Sequence, residues 1–156
     1  ASDVNLTAII NAMTPHYAEK GKPVFLESDP GDSVFLLAEG CVDVIRNVRG
    51  GRGERLASLY PGALFGTGSL LLKKRRNAAC VASDGTDCWI YEMDRKAHDS
   101  LKDEPGRIWK ESLLNALSSQ LRNADDRLVQ LMLGGARPKQ SDYDSIRAGL
   151  EGYQGK

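Results

Sequence analysis

The chain is most constrained by a series of short apolar segments between Pro23 and Asp94, each closed by turn-forming residues. VFLES, SVFLLAEGCVDVIRN, ERLASLY, RNAACVAS and DCWIYEMD are rich in β-branched and aromatic residues and alternate apolar with polar. That is the pattern of strands with one face in a core. Their separators are Asp29-Pro30-Gly31-Asp32, Arg49-Gly50-Gly51-Arg52-Gly53, Pro61-Gly62 and Ser83-Asp84-Gly85. Glycine supplies positive φ, proline fixes φ and aspartate bonds its own backbone, so each separator predicts a tight turn. Many short strands with tight turns predict a barrel or sandwich. At 156 residues and 41% hydrophobic content, the chain can build one such core plus an appendage.

The flanks read as helices. Asn5 to Met13 carries Leu6, Ile9, Ile10 and Met13 at helical spacing and ends at Thr14-Pro15. A long helix is predicted from Pro105-Gly106 to Leu133, stopped by Gly134-Gly135. Within it Leu114, Leu117, Leu121, Ala124, Leu128 and Leu131 follow one another at 3, 4, 3, 4 and 3 residues, a narrow seam suited to a second helix. Two readings stay open: the seam packs on its own barrel, or it pairs with a second copy to give a homodimer. Ile108, Trp109 and Leu113 are available to hold the first turns on the barrel. The expected organisation is a barrel with its N-terminal helix over residues 1–106, a dimerisation or sensor helix over 107–133, and a polar tail or linker over 134–156.

Other function classes find little support. Lysine plus arginine equals aspartate plus glutamate at 21 each, so there is no overall basic field for nucleic acid. The three cysteines, Cys41, Cys80 and Cys88, are far apart and read as reduced, buried thiols. His16 and His98 are isolated, and no paired-carboxylate motif stands out, so neither a metal site nor a catalytic set is expected. With no long apolar run and no leader pattern, the expectation is a cytoplasmic protein without a membrane partner.

One stretch looks built for an anion. FGTGSLLLKKRRNAA, residues 65–79, places small residues at Gly66 to Ser69 and an arginine, Arg76, ten residues after Gly66. Glycines let backbone amides approach, a helical turn starting near Gly66 to Ser69 aims N–H groups outward, and a guanidinium matches phosphate oxygens. The alternative is that Arg76 is a surface cation in the Lys73-Lys74-Arg75-Arg76 run.

The order of these pieces resembles the cyclic-nucleotide-binding domain family, the sensor type of catabolite activator proteins and protein kinase A regulatory subunits. The matching features are Gly31-Asp32 before a strand, Gly40 in LLAEGCVDV, Pro61-Gly62 ahead of Phe65-Gly66, and Arg76 followed by Asn77-Ala78-Ala79. The resemblance implies a mainly β fold: a jelly-roll-like barrel with flanking helices and a long C-terminal helix. It implies a cyclic AMP or cyclic GMP ligand with no further cofactor. Its phosphate would lie on Gly66, Thr67, Gly68, Ser69, Arg76, Asn77 and Ala78, and its base near Val44, Leu56, Asn123, Ala124 and Asp125. Thr67 stands where the family usually has a glutamate for the ribose hydroxyl, and Gly68 replaces a usually apolar residue. Residues 134–156 show no two-helix pattern with a basic face, so direct DNA binding is not expected. Output would pass through a protein effector, or through a fused effector domain missing from this sequence. The competing reading is a degenerate module that binds no nucleotide and serves protein interaction and dimer assembly.

Overall fold

The computed structural model describes residues 3–46 and 53–123, with residue 72 and residues 117–123 as backbone only. Helix α1 (Asp3–Ala12) leads into strands β1 (Thr14–Ala18), β2 (Pro23–Phe25), β3 (Val34–Glu39), β4 (Val42–Arg46), β5 (Glu54–Leu59) and β6 (Leu64–Phe65). Short helix α2 (Thr67–Leu72) follows, then β7 (Ala79–Ala82), β8 (Cys88–Met93), α3 (Arg95–Ser100) and α4 (Asp103–Asn123). The strands form two four-stranded antiparallel sheets, ordered β1-β8-β3-β6 and β2-β7-β4-β5. The SVFLLAEGCVDVIRN run breaks at Gly40, where the chain leaves the first sheet for the second.

Period-two alternation in β3 explains how the two layers share one wall. Phe35 and Leu37 point between the sheets and join Val42, Val44, Cys80, Ala82, Cys88 and Ile90 in the inter-sheet core. Val34 and Leu36 point the other way, into a second core with Met93, Ile9, Met13, Leu70, Trp109 and Leu113. The second core joins α1, α2 and α4 to the outer face of the first sheet. Trp109 and Leu113 are buried there and Ile108 packs against it, so the first turns of α4 lie on the barrel.

The structure adds β1, β6 and α3 to the elements predicted from sequence. β1 reads TPHYA and lacks an apolar alternation of its own; it is a strand because β8 offers a free edge, and Pro15 is tolerated on an edge strand. Helix α3 is capped by Asp94, whose carboxylate accepts from the Ala97 amide at 2.7 Å. In α1, Ile9 and Met13 are buried, but Leu6 and Ile10 are 46% and 37% exposed, because only one edge of the helix meets the sheet. Helix α4 begins at Asp103, ahead of the predicted Pro105-Gly106.

Candidate functional site

Arg76 is the best buried cation of the cradle stretch, with 5% of its surface exposed. The surface-cation reading is thereby set aside for Arg76; Lys73, Lys74 and Arg75 remain exposed. Its backbone is pinned to the turn before β3. The Arg76 amide donates to the Asp29 carbonyl at 2.9 Å, and the Ser28 amide donates to the Arg76 carbonyl at 2.5 Å. The turn is itself closed by the Leu26 amide, which donates to the Asp29 carboxylate at 2.9 Å. Thus the aspartate turn read from sequence sets where the arginine leaves the backbone.

The side chain reaches back to the start of α2. Its Nη1 donates to the Gly66 carbonyl at 2.9 Å, and its Cζ lies 4.4 Å from the Phe25 ring centre and 5.4 Å from that of Phe35. Phe35 stacks on Phe65 at 5.4 Å, so all three phenylalanines of the chain form one cluster, of which Phe25 and Phe35 meet the guanidinium. Cation–π attraction compensates part of the cost of taking the charge out of water. Two glycines make room. A Cβ on Gly31 would stand 2.7 Å from Arg76 Nε, and one on Gly66 would stand 2.6 Å from Nη1. Gly66 also has φ of 76°, which favours glycine.

Electrostatically the guanidinium is incompletely compensated. Burial pushes its pKa below the ordinary value; Cys80, Glu92, Asp32 and Asp29 act in the opposite direction. Among the described residues it forms no ion pair. A buried cation that has no ion pair among the described residues and donates to a neutral carbonyl is suited to receive an anion.

Gly66 caps α2 without a side-chain hydrogen bond, and Thr67 and Ser69, 3% and 5% exposed, line its first turn. The first N–H groups of a helix have no partners within it, so this turn sets donors beside the arginine. Gly68 is half-buried in the same turn. Asn77 is half-buried and Ala78 is fully within the inter-sheet core. Val44 is in that core opposite Cys80, and Leu56 packs against it from β5. The structure therefore brings Gly66, Thr67, Gly68, Ser69 and Arg76 together. It sets Ala78, Val44 and Leu56 in or against the core between the sheets.

Leu114 is half-buried on α4. Leu117, Leu121 and Asn123 belong to the α4 backbone, with side chains outside the described set; Ala124, Asp125, Leu128, Leu131 and the 134–156 tail lie outside the described residues. Sequence reasoning missed Phe25 and Phe35 as the platform for Arg76, and Gly31 as a steric gap for it. Cys80 is buried beside Arg76, and burial pushes its thiol up to about 12, while Cys88 is buried and raised as well. Both are inert by this measure. Among the described residues no cluster suited to a metal ion occurs, and no helix is long and apolar enough to cross a membrane.

Comparison with known proteins bears on the fold. Residues 15–104 match the family model described as cyclic nucleotide-binding domain. The chain is 43% identical over 118 residues to the Cyclic AMP receptor protein of Thermus thermophilus, covering 76% of this chain and 53% of that protein. It is 29% identical over 127 residues to a CRP-like cAMP-activated global transcriptional regulator of Mycobacterium tuberculosis, covering 81% of this chain and 55% of the relative. Among solved structures, a cyclic nucleotide-binding domain from Methylobacillus flagellatus superposes with a TM-score of 0.73 at 26% identity, covering 83% of this chain and 73% of that one. The chain spans about half the length of the curated relatives it matches.

Proposed function

The chain belongs to the cyclic nucleotide-binding domain family, and from that premise we propose that it is a regulatory sensor for a cyclic mononucleotide, cyclic AMP or cyclic GMP, without catalytic activity of its own. The buried Arg76, held on Phe25 with its Nη1 donating to the neutral Gly66 carbonyl, is the observation that carries this reading. The cyclic phosphate would take the place of the Gly66 carbonyl on Nη1 and accept further bonds from the first turn of α2, with Asn77 and Ala78 beside it. The base would extend towards Val44 and Leu56, with Asn123, Ala124 and Asp125 closing over it.

Transmission to α4 has a physical route. Helix α2 starts at the cradle, yet its Leu70 is buried in the helical core with Trp109 and Leu113 of α4. Arg95 of α3 donates to the Leu70 carbonyl. An anion that repositions the first turn of α2 would move Leu70 against α4, shifting the population of α4 arrangements if the two differ in ligand affinity. The seam Leu114, Leu117, Leu121, Ala124, Leu128 and Leu131 would read that shift out in a cytoplasmic homodimer, coupled to an effector protein or fused domain.

A second reading keeps the fold for protein interaction alone. It is favoured by Thr67, buried where the family usually has a glutamate. Calorimetric titration with cyclic AMP and cyclic GMP separates the two. The sensor requires saturable binding that is lost in Arg76→Ala; absence of heat with both nucleotides at millimolar concentration would overturn it and leave the interaction module.

A further inference from the structure

Strand β1 brings polar groups onto a face that is otherwise core. The register aligns Thr14 with Glu92 and Phe35, and His16 with Ile90 and Leu37. Phe35, Leu37 and Ile90 face the gap between the sheets, so His16 and Glu92 face it too. There Glu92 is held on both oxygens. His16 Nε2 is 2.7 Å from Oε1, and Ser33 Oγ donates to Oε2 at 2.5 Å. A carboxylate on the apolar side of a sheet is costly unless hydrogen-bonded, and His16 and Ser33 meet that need here.

His16 and Glu92 line a cleft of about 570 Å³ that also takes in residues of the edge strands β1 and β2. That volume is within the usual range of small-molecule sites, roughly 300 to 1,000 Å³. Its apolar wall is Val24, Phe35 and Ile90, and Glu19 and Lys22 stand at its sides. Glu19 and Lys22 are exposed and opposite in charge, so they cancel to first order. The decisive charge is the more sheltered one: Glu92, 26% exposed against 45% for His16. With one donor on each oxygen, the carboxylate keeps acceptor capacity for a further donor.

We propose that the cleft between β1 and β2 is a second small-molecule site, taking an organic ammonium ion whose apolar body lies against Val24 and Phe35 and whose N–H groups meet Glu92. Phe35 forms a wall of both this cleft and the phosphate cradle, and Glu92 also acts electrostatically on Arg76. A carboxylate at this place favours an ammonium group over the phosphate-bearing ligands that suit Arg76.

The test uses the ¹⁵N-labelled full chain titrated with phenethylammonium chloride and, as the matched anion, sodium 3-phenylpropionate. The ammonium probe should give saturable amide shifts centred on His16, Val24 and Glu92, while the carboxylate should not saturate. Glu92→Gln should weaken the ammonium probe about tenfold or more, the loss of a charge-assisted bond. Ala18→Phe, which fills the cleft from the edge strand and leaves the carboxylate in place, should abolish the shifts. No saturation at tens of millimolar, equal affinity in a folded Glu92→Gln, retained binding in Ala18→Phe, or preference for 3-phenylpropionate would each overturn the proposal.

Discussion

Replacing Arg76 by methionine should leave the fold nearly as stable while removing nucleotide binding. Methionine matches the length of the arginine stem and is apolar. On the losing side stand the hydrogen bond to the Gly66 carbonyl, about 1.5 to 3 kcal/mol for a charged donor, and the contact with Phe25, about 0.5 to 2 kcal/mol. On the gaining side, an ion 5% exposed and without an ion pair among the described residues no longer has to be kept dry, a relief of several kcal/mol. The two sides are comparable, so the net change should fall within about 2 kcal/mol, or roughly 4 to 8 °C in melting temperature for a domain of this size. The assay is thermal unfolding with and without cyclic AMP or cyclic GMP. A ligand at about 100 times its Kd stabilises the native state by about 2.7 kcal/mol, a shift the wild type should show and Arg76→Met should lack. Loss of folding in Arg76→Met would identify the arginine as a structural strut. An undiminished ligand shift would refute the cradle.

Thr67→Glu should tighten cyclic-mononucleotide binding about tenfold, since a carboxylate replaces a neutral acceptor for the ribose hydroxyl; unchanged or weaker affinity by calorimetry would mean that Thr67 serves another ligand geometry. Leu121→Glu with Leu128→Glu should convert a homodimer into a folded monomer, as read by sedimentation and circular dichroism, because each buried leucine contributes roughly 1.5 to 3 kcal/mol; a wild-type monomer at high concentration would refute the seam. His98 should make stability fall on mild acidification. Its Nδ1 accepts from Trp109 Nε1 at 2.9 Å, and burial holds its pKa below the ordinary 6.5. The unfolded chain therefore takes up the proton first: the contribution is complete above about pH 6.5, declines as pH falls towards the folded pKa, and levels off below it. Urea midpoints between pH 7.5 and 5 should show this slope in the wild type and not in His98→Gln.

The parts of the fold that were legible are those whose residues carry their own pattern. β3, β4, β5, β7 and β8 alternate, and α2 and Arg76 follow from spacing around small residues. β1 was not legible, because TPHYA becomes a strand only through pairing with β8, which is a tertiary fact. The same holds for the His16 and Glu92 pair, which lie 76 residues apart and meet only through strand register. Of the site, the small residues and the arginine could be read. The aromatic platform could not, since Phe25, Phe35 and Phe65 are ordinary core residues until the turn at Ser28 and Asp29 delivers Arg76 onto them.

The gathering of every phenylalanine into one cluster beside Arg76 gives the protein a spectroscopic label that needs no engineering. A chain grown with fluorinated phenylalanine would carry three fluorine nuclei, all within one cluster and none elsewhere. Whatever draws the guanidinium off Phe25 changes the field at that ring first, then at Phe35, and least at Phe65, which the arginine does not face. The relative size of the three shifts would thus trace the departure of the cation, without background from the rest of the chain.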